Sequence, residues 1–159
     1  MLTQDFDGTL TVDTGSGNVS VANLRTDKTS IASGSGTVTG ENVVAGVLAV
    51  NSGSGEIDFS RLTSPEIVID TGSGAVSADL ERSPQSLRID CGSGGVTLTT
   101  PRDLDAKLQI SCSKRHLDIG FPVVASRVGD NYFEGRAGAG HGLIVIESGS
   151  GRVSLRSEE

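Results

Sequence analysis

The sequence predicts a single all-β domain, a parallel β-solenoid of about eight coils with about nineteen residues in each. Three observations carry this expectation. The tripeptide Gly-Ser-Gly returns at Gly15, Gly34, Gly53, Gly72 and Gly92, with successive spacings of 19, 19, 19 and 20 residues. Aliphatic residues fall two apart on both sides of every copy, the period of a strand with one face turned inward. Many of the 22 glycines recur at fixed spacing, so they read as corners and not as a disordered linker.

Each coil is read in chain order. The strand before the corner contributes an inward column of Val12, Ile31, Val50, Ile69, Ile89 and Ile146, with Leu10, Thr29, Leu48, Ile67, Leu87 and Ile144 two residues earlier. Next comes a small residue (Thr14, Ser33, Ser52, Thr71, Cys91 or Ser148), suited to a narrowing interior. The corner glycines are expected to adopt positive φ, which would explain the exclusion of other residues there. A second strand then places Val19, Val38, Ile57, Val76, Val96 and Val153 inward. Loops such as Thr63-Ser64-Pro65, Arg82-Ser83-Pro84 and Thr99-Thr100-Pro101 close the coil, because proline cannot donate to a central ladder. Two strands per coil, one tight corner and one looser return are therefore expected.

The organisation divides into regular coils over 1–100, degenerate coils with a glycine-rich loop over 101–142, and a final coil over 143–159. The gap of 57 residues before the last Gly-Ser-Gly is three times 19, so the register is expected to run on through the degenerate stretch. Leu108, Ile110 and Cys112 match Leu87, Ile89 and Cys91, with Ser113-Lys114-Arg115 in place of the corner. Val124, Val128 and Phe133 are aligned as a further coil turning at Gly129-Asp130-Asn131. The run from Arg136 through Gly138, Gly140 and His141 to Gly142 is expected to protrude as a flexible loop, and it is the favoured interaction site.

A net charge of -7 opposes binding to phosphate backbones or anionic lipid, so nucleic acid is an unexpected partner. The chain has no apolar run of the ~18 residues needed to span a bilayer, and its start, Met1-Leu2-Thr3-Gln4, lacks the pattern of a secretory signal. It reads as soluble, with no membrane insertion by this segment and no address of its own; a removed signal or an anchor elsewhere is compatible with the same start.

Catalytic, cofactor and metal sites are not expected. Asp70 and Asp90 are the weak exception, as outward neighbours on adjacent coils; calcium-binding solenoids, however, place the aspartate after their glycines, and a solvated acidic edge is favoured. Cys91 and Cys112 are read as equivalent inward positions on successive coils, one strand spacing apart, and free thiols are favoured over a disulfide. His116 and His141 have no partner at catalytic or ligand spacing and are read as surface residues. Six Gly-Ser-Gly copies flanked by strands fit neither a phosphate loop nor a nucleophile elbow. The partial outward column Ser20, Thr39, Ser77, Thr97 and Ser154 is interrupted by Asp58 and Asp118 and reads as ordinary polar surface.

The recurring TGSG-x-V blocks, Phe121-Pro122, the glycine-rich loop and the closing block from Ile144 to Leu155 resemble the bacterial adhesin-like domain of unknown function called Toastrack. That resemblance implies a single-stranded, right-handed β-helix, often attached to a membrane or export signal elsewhere in its protein, and associated with adhesion or envelope stress. It implies no catalytic residues. The leading functional expectation is a non-enzymatic structural or adhesive module of the cell envelope or surface, with an unidentified protein or envelope component as partner. A carbohydrate-binding or polysaccharide-active β-helix is the second reading, weakened by the absence of Trp and by the single Tyr132. Homo-oligomerisation through unpaired solenoid ends is the third.

Overall fold

The computed structural model describes residues 8–112, 117–121 and 123–157. Its fourteen strands hydrogen bond into one curled sheet, and no helix occurs among the described residues. In chain order these are β1 (Thr9–Thr14), β2 (Val19–Ser33), β3 (Val38–Ser52), β4 (Ile57–Thr63), β5 (Glu66–Thr71), β6 (Val76–Leu80) and β7 (Ser86–Cys91). They continue as β8 (Val96–Thr100), β9 (Ala106–Ser111), β10 (Leu117–Ile119), β11 (Val124–Val128), β12 (Phe133–Ala137), β13 (Gly142–Ser148) and β14 (Val153–Ser157).

Alternation sets the register. Val12 pairs with Ile31, Ile31 with Val50, Val50 with Ile69, and Ile69 with Ile89, all in parallel ladders. Ile146 follows Ile89, and Ile110 follows Ile146, so the predicted inward column exists with one insertion. From Ile31 onward its members are at most 2% exposed. A one-residue slip would turn every one of these side chains outward, which is why the ladders hold this phase. Volumes are matched between neighbours: a Cβ on Gly40 would come within 2.4 Å of the ring of Phe59, the one fully buried aromatic among the described residues.

Three features differ from expectation. The first is the shape of a repeat. The β2/β3 ladder runs in three segments, Val19–Ala22, Leu24–Thr26 and Lys28–Ser33, interrupted at Asn23 and Asp27. Asn23, Asn42 and Arg61 occupy the left-handed region at φ 51, 54 and 53°. Asparagine tolerates that conformation better than most residues, and the Asn42 amide ties this bend to the neighbouring repeat by donating to Asn23 Oδ1 at 2.9 Å. The period of 19 between these residues was a usable signal for this second bend.

The second is the reason for the corner glycines. Positive φ is confined to Gly8, Gly138 and Gly140 among the described glycines, so the expected left-handed corner is overturned. Close stacking excludes a side chain instead. A Cβ at Gly55, Gly74 or Gly151 would lie 1.9 Å from the carbonyl oxygen of the glycine one repeat below. The small residue ahead of each corner contributes a local staple: the Gly36 amide donates to Ser33 Oγ, whose hydroxyl donates to the Gly36 carbonyl, both at 3.1 Å. Ser52 does the same with Gly55, and Cys91 Sγ donates to the Gly94 carbonyl.

The third is the order of stacking. The last repeat does not continue from the degenerate stretch. β13 lies between β7 and β9, and β14 pairs with both β8 and β10. Gly149 N donates to the Cys91 carbonyl and Ser150 N to the Gly92 carbonyl, so the sixth corner sits directly on the fifth. The segment aligned as a coil through Val124, Val128 and Phe133 is an antiparallel hairpin, with β11 on β12 and β12 on β9. Gly129 N donates to the Tyr132 carbonyl across Asp130-Asn131, a turn short enough to send the strand straight back. The expected corner at Ser113-Lys114-Arg115, together with His116 and Pro122, lies outside the described residues.

Candidate functional site

The interleaved order creates a junction where the chain leaves the hairpin and enters the sheet between two strands already laid down. Asp105 holds it. Its Oδ1 accepts from the amides of Gly140 (2.6 Å) and His141 (2.9 Å), and its Oδ2 lies 2.6 Å from His141 Nδ1. Its own amide donates to Ser83 Oγ, and its carbonyl accepts from Gly142 N. The hydrogen bond from His141, then the two turn amides, holds the Asp105 carboxyl at a pKa of about 2, below the ordinary aspartate range. Sequence reasoning missed Asp105, because its partners are 35 and 36 residues away.

The predicted interaction loop is therefore reshaped. Arg136 and Ala137 close β12 and Gly142 opens β13, leaving only Gly138 to His141 as the connection. Gly138 and Gly140, at φ 66 and 81°, supply the left-handed residues of this pinned turn. The expectation of a flexible protrusion gives way to a turn seated on Asp105. His141 is a surface residue, 82% exposed at its side chain, but it does have a partner.

Beside the junction is a cavity of about 530 Å³, lined among others by Arg102, Asp103, Asp105, Phe121, Gly138 and Ala139. A smaller one of about 300 Å³ opens between the hairpin and β10, lined by Cys112, Leu117, Ile119, Val128, Tyr132 and Phe133. Tyr132 donates its phenol to Glu134 at 2.9 Å, which raises its pKa. Three of the five aromatic residues thus border cavities in the irregular third of the chain.

Other candidates are dispersed. Asp70 and Asp90 do pair in register, with Asn51 before and Glu147 after them. Glu147 lies 3.9 Å from the Arg88 guanidinium, and among the described residues no group of three or more His, Cys, Asp or Glu is placed to hold a metal ion. Cys91 and Cys112 are both free and buried, and burial raises both thiol pKa values. They are not on successive strands: Cys91 pairs with Ser148 on β13, and the β13/β9 ladder continues beyond it toward Cys112. Two strand spacings, roughly 9–10 Å, separate them, beyond the reach of a disulfide.

With this geometry in view, the Toastrack DUF4097 family model matches residues 7–156. The chain belongs to that family. The Toastrack match takes in both the regular repeats and the junction, so the interleaved repeat and the hairpin lie within the family domain. Comparison with curated proteins and with solved structures finds no match. No helix among the described residues is long and apolar enough to cross a membrane.

Proposed function

We propose that this Toastrack domain is a non-enzymatic interaction module of the bacterial cell envelope or surface, with its irregular end as the binding region. On this reading the repeats wind as a right-handed, single-stranded parallel solenoid, one coil short of the eight that spacing alone gives, because 123–140 is a hairpin. The observation that carries the reading is a division of labour. The regular repeats spend their inward positions on an aliphatic core, whereas among the described residues the aromatics outside that core gather around the junction and the hairpin, where they line two cavities. His141 and Asp105 are engaged with each other in holding the turn. A rigid scaffold that presents an irregular end is the usual architecture of a binding module.

The test is capture from fractionated cells with the immobilised domain. Enrichment of a component from the envelope fraction over the soluble fraction is expected, and it should weaken when Phe121 and Tyr132 are replaced by Ala. Equal recovery from both fractions overturns the reading.

Self-association is the second reading, favoured by β1, which pairs only with β2 among the described residues and leaves Leu10 and Val12 half-buried at the head of buried columns. A concentration series in light scattering tests it: growth in mass supports end-to-end association, and a constant monomer mass excludes it.

A further inference from the structure

We infer that the cavity beside the Asp105 junction is a saccharide-binding site for one or two neutral or N-acetylated sugar rings. This rests on the interaction-module reading and names the chemistry of its partner. The volume of about 530 Å³ falls within the range typical of small-molecule sites, ~300–1,000 Å³. Its composition is what a pyranose asks for. Such a ring has an apolar C–H face that packs on an aromatic side chain, and Phe121, half-buried with one part against the core, lines the cavity. It also has a rim of hydroxyls, which are best met by carboxylate acceptors and by backbone groups that small residues leave accessible.

Asp103 lines the same cavity, is exposed, and makes no hydrogen bond or ion pair among the described residues. Asp105, fixed by the turn amides, is held ionised beside it. Gly120, Gly138 and Ala139 have no bulk to fill the space, and Gly138 is confined to glycine both by its φ of 66° and by the Leu104 carbonyl 2.8 Å from where a Cβ would lie.

Charge selects among sugars. Two carboxylates, Asp103 and Asp105, and one guanidinium, Arg102, are among the lining residues on a chain of net charge -7, so uronic acids and sulfated sugars are disfavoured. The smaller cavity differs: no carboxylate is among its lining residues, its walls are mostly apolar, and its one phenol, that of Tyr132, already donates to Glu134. It serves as the internal control.

The experiment is an NMR titration of the intact chain with three disaccharides: N,N′-diacetylchitobiose, cellobiose and digalacturonate. Saturable shifts are expected at Gly138 and Ala139 with at least one of the two neutral disaccharides and not with digalacturonate. Asp103→Asn and Phe121→Ala should each weaken binding about tenfold, the loss of one charge-assisted hydrogen bond or one stacking platform. Ala139→Phe, at an exposed turn position, should block binding with an unchanged unfolding midpoint, which separates occupation of the cavity from collapse of the fold. Val128→Ala should leave binding intact. Absence of saturation with both neutral sugars, preference for digalacturonate, or full binding by Asp103→Asn and Ala139→Phe overturns the inference. Envelope capture can succeed when this titration fails, so loss of the sugar site leaves the broader reading standing.

Discussion

Gly36, Gly55, Gly74 and Gly94 stack at intervals that the chain itself supplies, whereas Gly151 comes 57 residues after Gly94 and rests on it all the same. The contact is identical in the two regions: the same carbonyl approach of about 2 Å toward an imagined Cβ. What differs is how the chain arrives. In the regular part each repeat is laid on its predecessor. In the irregular part β9 is reached first in sequence, and β13 then lies between it and β7. Identical corners permit this, since a Gly-Ser-Gly can dock on any exposed copy. A repeat sequence therefore specifies an interface, and the connections choose which copies meet.

The largest expected effect breaks that interface. Gly74→Ala pushes a Cβ against backbone that cannot rotate away, and a loss of at least about 3 kcal/mol is expected in urea unfolding. Gly151→Ala should cost as much, because its neighbour Gly94 presents the same wall. Gly15→Ala is the control: nothing lies within 4 Å of its Cβ position, and a change within about 0.5 kcal/mol is expected. If Gly151→Ala proves as mild as Gly15→Ala, the last repeat is not stacked on the fifth.

Next in size is the inserted column. Ile146 is fully buried between Ile89 and Ile110, so Ile146→Ala should cost about 2–5 kcal/mol, as for any sealed core position. The same insertion keeps Cys91 and Cys112 apart, and oxidation followed by mass spectrometry should find no intrachain disulfide in the folded protein. A bond between them would mean that β13 is not where the ladders put it.

These contacts also explain what could be read in advance. Columns such as Ile31, Val50, Ile69 and Ile89 were legible because a buried strand face allows only apolar side chains at every second position. The hairpin was not, because period-two alternation is common to parallel and antiparallel strands, and Val124 to Val128 gives no sign of direction. Nor was the function of the corner glycines, since exclusion by positive φ and exclusion by a stacked neighbour leave the same letter in the sequence. The small residue before each corner shows its size in the sequence, while its hydrogen bonds to the glycine three residues on depend on the fold of the corner. Asp105 is the clearest case: a carboxylate without a local motif becomes the seat of the turn only when residues 140 and 141 are brought to it.

A smaller effect sharpens the contrast at that seat. The hydrogen bonds at the turn hold the Asp105 carboxyl at a pKa of about 2 in the folded chain, against about 3.9 when unfolded. Between those values the unfolded state binds more protons, so stability rises with pH through the window. The contribution is complete above about pH 5 and is lost as the pH falls toward 2. Asp105→Asn should flatten that acid limb and accelerate amide exchange at Gly140 and His141, while Ser33 and Ser52 corners exchange as before. An acid limb unchanged in Asp105→Asn would remove the junction from the account of pH stability.

The mildest substitution tests whether the corner is one device throughout. Cys91 donates from sulfur to the Gly94 carbonyl where Ser33, Ser52 and Ser148 donate from oxygen to their own glycines. Cys91→Ser restores the common residue at that place, and the serine hydroxyl keeps a donor toward the Gly94 carbonyl. Its effect on stability should stay within about 1 kcal/mol, the scale of one neutral hydrogen bond. Cys91→Ala removes the donor and leaves the Gly94 corner without its staple, so it should be the worse of the two. If alanine equals serine at this position, the side chains ahead of the corners matter for their size, and the hydrogen bonds they make add nothing measurable to the stack.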